Sequence, residues 1–371
     1  VSIVVKMPPA EHRPAGGWGG PVVAGGWVTF QLPDPDGVLA GVRLLPDNGL
    51  PARRLDFDRA EGGWLLRLER PPVRRMEYRL ALRYLDGGST DACDPGNPLR
   101  APGAFGDKSV LEFPGYVPPR WLAGPAVPGA SQPLTVPSRL LGADIEARLW
   151  SPADAAPGEP LPLLVAHDGP EYAELAGLTR FAAAQIAAGR LPRHRLALLA
   201  PGDRDEWYAA NLGYAAALAG AVLPALRQAV AVCGPVVGLG ASLGGLALLH
   251  AQRRHETAFG ALFLQSGSFF DPRLDPQERD FPWFARITRF VAEIRPDPAQ
   301  RQRRPPPRPV PVTLTCGTVE DNLANNRQLA TALAAVGYPV RLVEVPDAHN
   351  YVAWRDAFDP PLVDLLARVW A

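Results

Sequence analysis

Hydrophobic and polar positions follow two different rules along this chain. From residue 22 to about residue 120 they alternate. Gly63-Trp64-Leu65-Leu66-Arg67-Leu68 and Met76-Glu77-Tyr78-Arg79-Leu80-Ala81-Leu82-Arg83-Tyr84 have a period of two, and residues 27–32 and 41–45 are short β-rich runs. That period sends successive side chains to opposite faces, so each run predicts a strand with one buried face. Turn clusters such as Leu32-Pro33-Asp34-Pro35-Asp36-Gly37 and Leu85-Asp86-Gly87-Gly88 separate the runs. Several short strands divided in this way predict a β-sandwich.

Alternation resumes over residues 138–150 and then gives way to short strand-like runs, wholly apolar at 162–166 and largely apolar at 195–200, 236–239, 260–265, 311–316 and 340–345. Helical stretches separate them at 179–189, 211–231 (interrupted at Pro224), 243–254, 325–335 and 360–370. A strand without a polar face is buried on both sides, so this half predicts a mostly parallel sheet covered by helices. The expected division is a flexible arm at 1–21, a β-sandwich at 22–120, a Pro-rich linker at 121–134 and an α/β domain at 135–371. Residues 271–308 carry many Pro and Arg residues, including Arg301-Gln302-Arg303-Arg304-Pro305-Pro306-Pro307, with one helix expected at 283–293. This insertion reads as a solvated loop or as a lid over the site.

Composition narrows the function classes. The 371 residues are 47% hydrophobic, enough for a sizeable core, and 38 Lys plus Arg balance 38 Asp plus Glu. A net charge of zero does not describe a protein built to bind nucleic acid or an acidic membrane surface. Cys93, Cys233 and Cys316 match no zinc spacing and do not read as a disulfide scaffold, so neither metal nor cofactor is expected. No run reaches the 18 or so apolar residues of a membrane span. The first residues lack the pattern of a secretory signal, as a trimmed terminus also would, and a cytoplasmic location is expected.

The chemistry centres on Gly240-Ala241-Ser242-Leu243-Gly244, a G-x-S-x-G sequence between an apolar strand and an Ala/Leu-rich helix. In that context the serine sits on a strained strand-to-helix turn with its hydroxyl above the sheet. The next N–H, that of Leu243, opens the helix and suits an oxyanion. Of six histidines, His349 follows the last strand and completes the chain order Ser, acid, His, which makes it the candidate base. The acid is expected after the preceding strand, in Gly317-Thr318-Val319-Glu320-Asp321, where Glu320 is preferred and Asp321 is the alternative. A second oxyanion donor is expected in His167-Asp168-Gly169-Pro170. Proline has no N–H, so Gly169 is the candidate. Together these describe an α/β hydrolase with a Ser-acid-His triad.

Taken together, these residues resemble the enterochelin esterase family, within the broader esterase D group, over roughly residues 22–371. Beyond the nucleophile turn, the similar passages are Asp94-Pro95-Gly96-Asn97-Pro98 with Lys108–Leu111, Asp168-Gly169, Arg204-Asp205-Glu206-Trp207-Tyr208 with Asn211 and Leu223–Leu226, Gln265-Ser266-Gly267-Ser268-Phe269-Phe270, Gly317 and Glu320 with Asn326-Arg327, and His349 with Trp354-Arg355. The histidine loop departs from the family's Gly-Gly-His, reading Asp347-Ala348-His349. The resemblance implies an immunoglobulin-like N-terminal domain joined to an α/β-hydrolase domain. It also implies hydrolysis of the ester bonds of a catecholate siderophore, a small-molecule substrate carrying iron. By the same resemblance Arg204, Asp168, Glu206 and Trp207 are substrate-binding candidates. Arg204 would favour an anionic ferric complex, or else pair with a nearby acid such as Glu206. Two other readings stand beside this one: a carboxylesterase of the same group acting on feruloyl, acetyl or other small esters, and a non-catalytic interaction protein with a hydrolase fold. Exposed aromatics among Trp27, Trp64, Tyr78 and Tyr84 would mark the β domain as a carbohydrate-binding module, whereas their alternation predicts core packing.

Overall fold

The alternating runs of the first half pair into two antiparallel sheets. The computed structural model describes residues 19–47, 54–294 and 308–371. Most of the expected arm and the Arg301–Pro307 run lie outside them. The chain divides into two units, the first ending at Tyr116 and the second beginning at Val117.

In the first unit one sheet has the order β1 (Val22–Ala24), β2 (Trp27–Pro33), β5 (Gly63–Glu69), β4 (Asp58–Ala60). The other runs β3 (Leu39–Pro46), β6 (Arg75–Tyr84), β9 (Lys108–Glu112), β8 (Arg100–Ala101), with β7 (Ser89–Ala92) on the far part of β6. The inward positions of the alternating runs meet between the sheets. Phe30 on β2 lies edge-on to Tyr78 on β6, with ring centroids 5.0 Å apart. This is the β-sandwich that the alternation predicts. Tyr78 and Trp64 belong to its core, while Trp27 is partly exposed under the guanidinium of Arg67. The Asp94–Pro98 passage is a structural lock. Tyr78 donates to Asp94 at 2.7 Å, and Asn97 reaches both the Tyr78 hydroxyl at 3.0 Å and the Val110 carbonyl at 2.7 Å.

The second unit is built on one sheet, ordered β10 (Gly129–Ser138), β11 (Ala143–Pro152), β13 (Arg195–Leu199), β12 (Leu163–Ala166), β14 (Val237–Ala241), β15 (Ala261–Gln265), β16 (Val312–Gly317), β17 (Val340–Val345). The β10–β11 hairpin pairs antiparallel, β11 meets β13 antiparallel, and the remaining strands are parallel. Strands β12 to β16 are wholly buried. Helices cover them, making this an α/β domain on a mostly parallel sheet. The passage expected as a linker holds a single turn at Arg120–Leu122 and the first part of β10. Pro133 and Pro137 are admitted because β10 is an edge strand, where a missing N–H leaves no ladder bond unmade. The alternation read across 138–150 is broken by the hairpin turn at 139–142.

The helices are α1 (Gly169–Glu174), α2 (Leu178–Ala187), α3 (Arg204–Tyr208), α4 (Leu212–Ala217), α5 (Leu223–Ala229), α6 (Leu243–Arg254), α7 (Phe284–Ala292), α8 (Leu323–Ala335), α9 (Tyr351–Asp356) and α10 (Pro361–Val369). Between α4 and α5 the backbone widens into a π turn over Leu218–Val222, and Leu223 N–H donates to the Leu218 carbonyl. Pro224 lacks an N–H and crowds the carbonyl four residues before it, and the wider turn accommodates both effects. Among the described residues no helix is long and apolar enough to cross a membrane.

Candidate active site

The chain reverses its direction of travel across the sheet at β12, which lies between β13 and β14. In such sheets the crevice at the carboxyl ends of the strands, near the reversal, gathers the functional loops. The predicted residues leave from these ends: Asp168 and Gly169 after β12, Ser242 after β14, Glu320 after β16 and His349 after β17.

Ser242 takes φ 54° and ψ −126°, a left-handed conformation that non-glycine residues rarely adopt. The glycines around it are required by space. A Cβ on Gly240 would stand 2.7 Å from the Gly244 backbone, and one on Gly244 would meet His167 Cβ at 3.2 Å. Backbone strain lifts the serine above the sheet and lets α6 begin at once with Leu243, whose N–H has no acceptor within the helix. The serine hydroxyl bonds Ser268 Oγ at 3.0 Å.

The two acids in the loop after β16 have different surroundings. Glu320 is buried and its Oε2 lies 2.7 Å from His349 Nδ1. Its Oε1 accepts from Ser266 Oγ at 2.7 Å and from Gly317 N–H at 2.6 Å. A Cβ on Gly317 would stand 2.6 Å from that same oxygen, so the close approach needs glycine. Asp321 is exposed. The His349 ring stands edge-on to Trp354, centroids 5.0 Å apart.

Gly169 opens α1 directly after Asp168, itself left-handed at φ 49°. A Cβ at 169 would lie 2.3 Å from the Leu198 backbone, so only glycine brings this N–H so close against β13. Arg204 makes a two-pronged pair with the buried Asp168, Nε to Oδ1 at 2.8 Å and Nη2 to Oδ2 at 2.9 Å. Arg204 thus pairs with an acid, but with Asp168 rather than Glu206. Glu206 is taken up elsewhere, accepting from Asn211 at 2.6 Å and from Arg286 at 3.0 Å. Trp207 is the remaining substrate-binding candidate. It is buried, stacked on Tyr214 with centroids 5.8 Å apart, because Gly202 leaves room for its ring inside the core.

His167 is fully buried beneath the elbow, one ring nitrogen on the Gly244 carbonyl at 3.0 Å and the other on the Tyr214 hydroxyl at 2.9 Å. Burial holds it neutral, its pKa lowered to about 4. A neutral ring has one N–H, so Nδ1 donates to the carbonyl and Nε2 accepts from the tyrosine. His167 therefore ties the start of α6 to the β12 loop. His194 and His250 are buried away from these loops, and His12 lies outside the described residues. On the other side Glu278 is raised above the usual carboxylate range by burial and by Asp275 and Asp321, with the positive influence of His349 opposing them. Among the described residues no group of three or more His, Cys, Asp or Glu side chains could hold a metal ion.

The sequence named Ser266, Ser268, Asn326 and Trp354 only as points of resemblance. The contacts of Ser266 with Glu320, Ser268 with Ser242, Asn326 with Gly267 and Trp354 with Ser266 appear once the strand order is known, and no local pattern announces them.

Residues 138–365 match the putative esterase family. The chain belongs to that family. Over 226 residues it is 30% identical to the iron(III) enterobactin esterase of Dickeya dadantii strain 3937, covering 57% of this chain and 50% of that protein. The match thus spans about half the length of that relative. The fold is similar to the enterobactin esterase of Shigella flexneri, determined in the presence of 2,3-dihydroxy-N-benzoyl-glycine, with TM-score 0.72 and 18% identity over 93% of this chain and 94% of that one. It is similar also to the ferric enterobactin esterase of Salmonella typhimurium, with TM-score 0.72 and 20% identity over 92% and 94%. A ferulic acid esterase has TM-score 0.55 and 19% identity over 66% of this chain and all of its own length.

Proposed function

We propose that this protein is a serine carboxylic-ester hydrolase that cleaves the ester bonds of a catecholate siderophore of the enterobactin type and so frees its iron. The observation that carries the hydrolase chemistry is the buried Glu320 fixing Nδ1 of His349 at 2.7 Å, and the strained turn that presents Ser242 agrees with it. With Nδ1–H donating to the carboxylate, His349 keeps Nε2 as an acceptor. It takes the Ser242 proton as Oγ attacks the ester carbonyl carbon. Negative charge moves to the carbonyl oxygen, where the N–H groups of Leu243 and Gly169 receive it. The imidazolium returns the proton to the leaving alkoxide as the C–O bond breaks, which leaves an acyl group on Ser242. Water, deprotonated by the same imidazole, then releases the acid and restores the serine. Glu320 stays ionised throughout.

The choice of substrate rests on the relatives. The enterobactin esterases align with both units of this chain, whereas the ferulic acid esterase accounts for about two thirds of it. The reading includes a cytoplasmic setting, with which the three free cysteines agree.

The test is hydrolysis of p-nitrophenyl acetate, methyl ferulate and a catecholate trilactone with and without iron, by the protein and its Ser242→Ala variant. Trilactone cleavage lost in the variant, with little turnover of ferulate, is the expected result. Fast cleavage of ferulate with the trilactone untouched would keep the mechanism and overturn the substrate. Equal rates for both proteins would overturn Ser242 as nucleophile.

A further inference from the structure

We infer that Ser266-Gly267-Ser268, the segment leaving β15, is a positioning element that holds the nucleophile and the acid in fixed relation, Ser266 acting through Glu320 and Ser268 through Ser242. This rests on the esterase reading above. The segment touches both ends of the catalytic array. Ser268 Oγ lies 3.0 Å from Ser242 Oγ, and Ser268 N–H donates to the Ser242 carbonyl at 3.1 Å. Ser266 Oγ donates to Glu320 at 2.7 Å and accepts from Trp354 Nε1 at 3.0 Å. The direction of this chain is fixed, since an indole N–H only donates. Trp354 occupies a lone pair of Ser266, which turns the Ser266 proton toward Glu320, and Glu320 accepts the hydrogen bond of His349 Nδ1–H on its other oxygen. Both serines are buried, so water does not compete for these bonds.

The backbone of the segment is held as firmly as its side chains. Ser266 is left-handed at φ 48°, a strained state that persists only where the surroundings impose it. Its N–H donates to the Thr315 carbonyl at 2.7 Å. The buried Asn326 on α8 clamps the next residue from both sides, accepting from Gly267 N–H at 3.2 Å and donating to its carbonyl at 2.9 Å. A Cβ on Gly267 would stand 2.1 Å from the Phe269 ring. Three neighbouring strands, β14, β15 and β16, are thereby tied together at the ends that carry the chemistry.

The test uses p-nitrophenyl acetate turnover, with Ser242→Ala as the reference for the esterase reading. Ser266→Ala removes a hydrogen bond to a charged group and is expected to lower kcat about ten- to a hundredfold with KM within about twofold. Ser266→Gly, which also relieves the left-handed strain, is expected to behave alike if the alanine variant folds poorly. Trp354→Phe keeps the ring and loses the N–H, and a kcat lower by about three- to tenfold is expected. The deciding comparison is Glu320→Ala with and without Ser266→Ala. A residue acting through Glu320 has no further effect once Glu320 is gone. Ser268→Ala is expected to slow both turnover and labelling of Ser242 by a fluorophosphonate, and Ser268→Thr, which keeps a hydroxyl, to restore them. Wild-type kcat in the Ser266 and Ser268 variants, or an undiminished Ser266→Ala effect without Glu320, would overturn the inference while Ser242-dependent turnover stands. Loss of Ser242 dependence would overturn the esterase reading instead.

Discussion

Glu320 and Asp321 are neighbours of equal charge, and the bend after β16 gives them opposite surroundings. One is buried against His349 and the other faces solvent. Glu320→Gln would leave an amide whose N–H competes for Nδ1, favouring the tautomer that carries its proton on Nε2. That imidazole cannot accept from Ser242, and kcat should fall by roughly a thousandfold or more. Asp321→Asn should stay within about twofold, and a large loss there with a mild one at Glu320 would exchange their roles. Arg204 offers a second test at this scale. Its guanidinium is spent on Asp168, one residue before the proposed oxyanion donor Gly169. Arg204→Ala strands a buried carboxylate and loosens that loop, so kcat on the neutral p-nitrophenyl acetate should fall about tenfold or more. If Arg204 served instead to attract an anionic ferric complex, the neutral ester would be unaffected and KM for the complex would rise.

Elements were legible wherever burial repeats a pattern and illegible where a tertiary contact decides. The apolar runs became β12 to β16 because a strand enclosed on both faces has no polar positions. The nucleophile turn was legible because its glycines are forced by space within five residues. Short helices α1, α3 and α9 carry no periodic signature. The pairing of Arg204 with Asp168 joins residues on separate loops, which no spacing encodes. The expected helix near residues 283–293 is α7, and its sequence says nothing of where it docks. The structure fastens it through Arg286, which donates to the Glu206 carboxylate at 3.0 Å, the Glu206 carbonyl at 2.6 Å and the Ala209 carbonyl at 2.5 Å. α7 is thereby joined to α3, the helix that carries Arg204. Arg286→Met keeps the stacking volume over Trp283 but removes all three donors. It should cost about 1–3 kcal/mol of stability and lower the melting temperature of this unit. Unchanged melting would mean that the apolar face of α7, with Ile287, Phe290 and Val291 buried, holds the helix unaided.

For the whole molecule, the buried histidines set the response to acid. Burial comes first among the causes that lower His167 and His194 to about 4 and His250 to about 3, each from 6.5. His250 is lowered further by Arg254, Arg286 and His255, while His167 feels Asp168 and Arg204 in opposite senses. All three are neutral in the folded chain at neutral pH. The unfolded chain takes up their protons as pH falls through 6.5, whereas the folded chain resists until about 4 or below. Stability is therefore fully present above about pH 6.5 and is lost progressively between there and about pH 4. Each histidine contributes a slope of at most about 1.4 kcal/mol per pH unit. Asp275 and Glu278, whose pKa values are raised by burial, act with the opposite sign and offset part of the loss at the acid end. The guanidinium midpoint should accordingly drop between pH 7 and pH 5, before most carboxylates titrate. His194 lies against Trp370, the rings tilted with centroids 5.0 Å apart, away from the catalytic loops, so His194→Gln is the variant that separates this effect from activity. It should flatten the decline by about one proton and leave ester turnover intact. A midpoint equal at both values of pH would mean that these histidines take up protons inside the fold, and that the polar groups around them accommodate the charge.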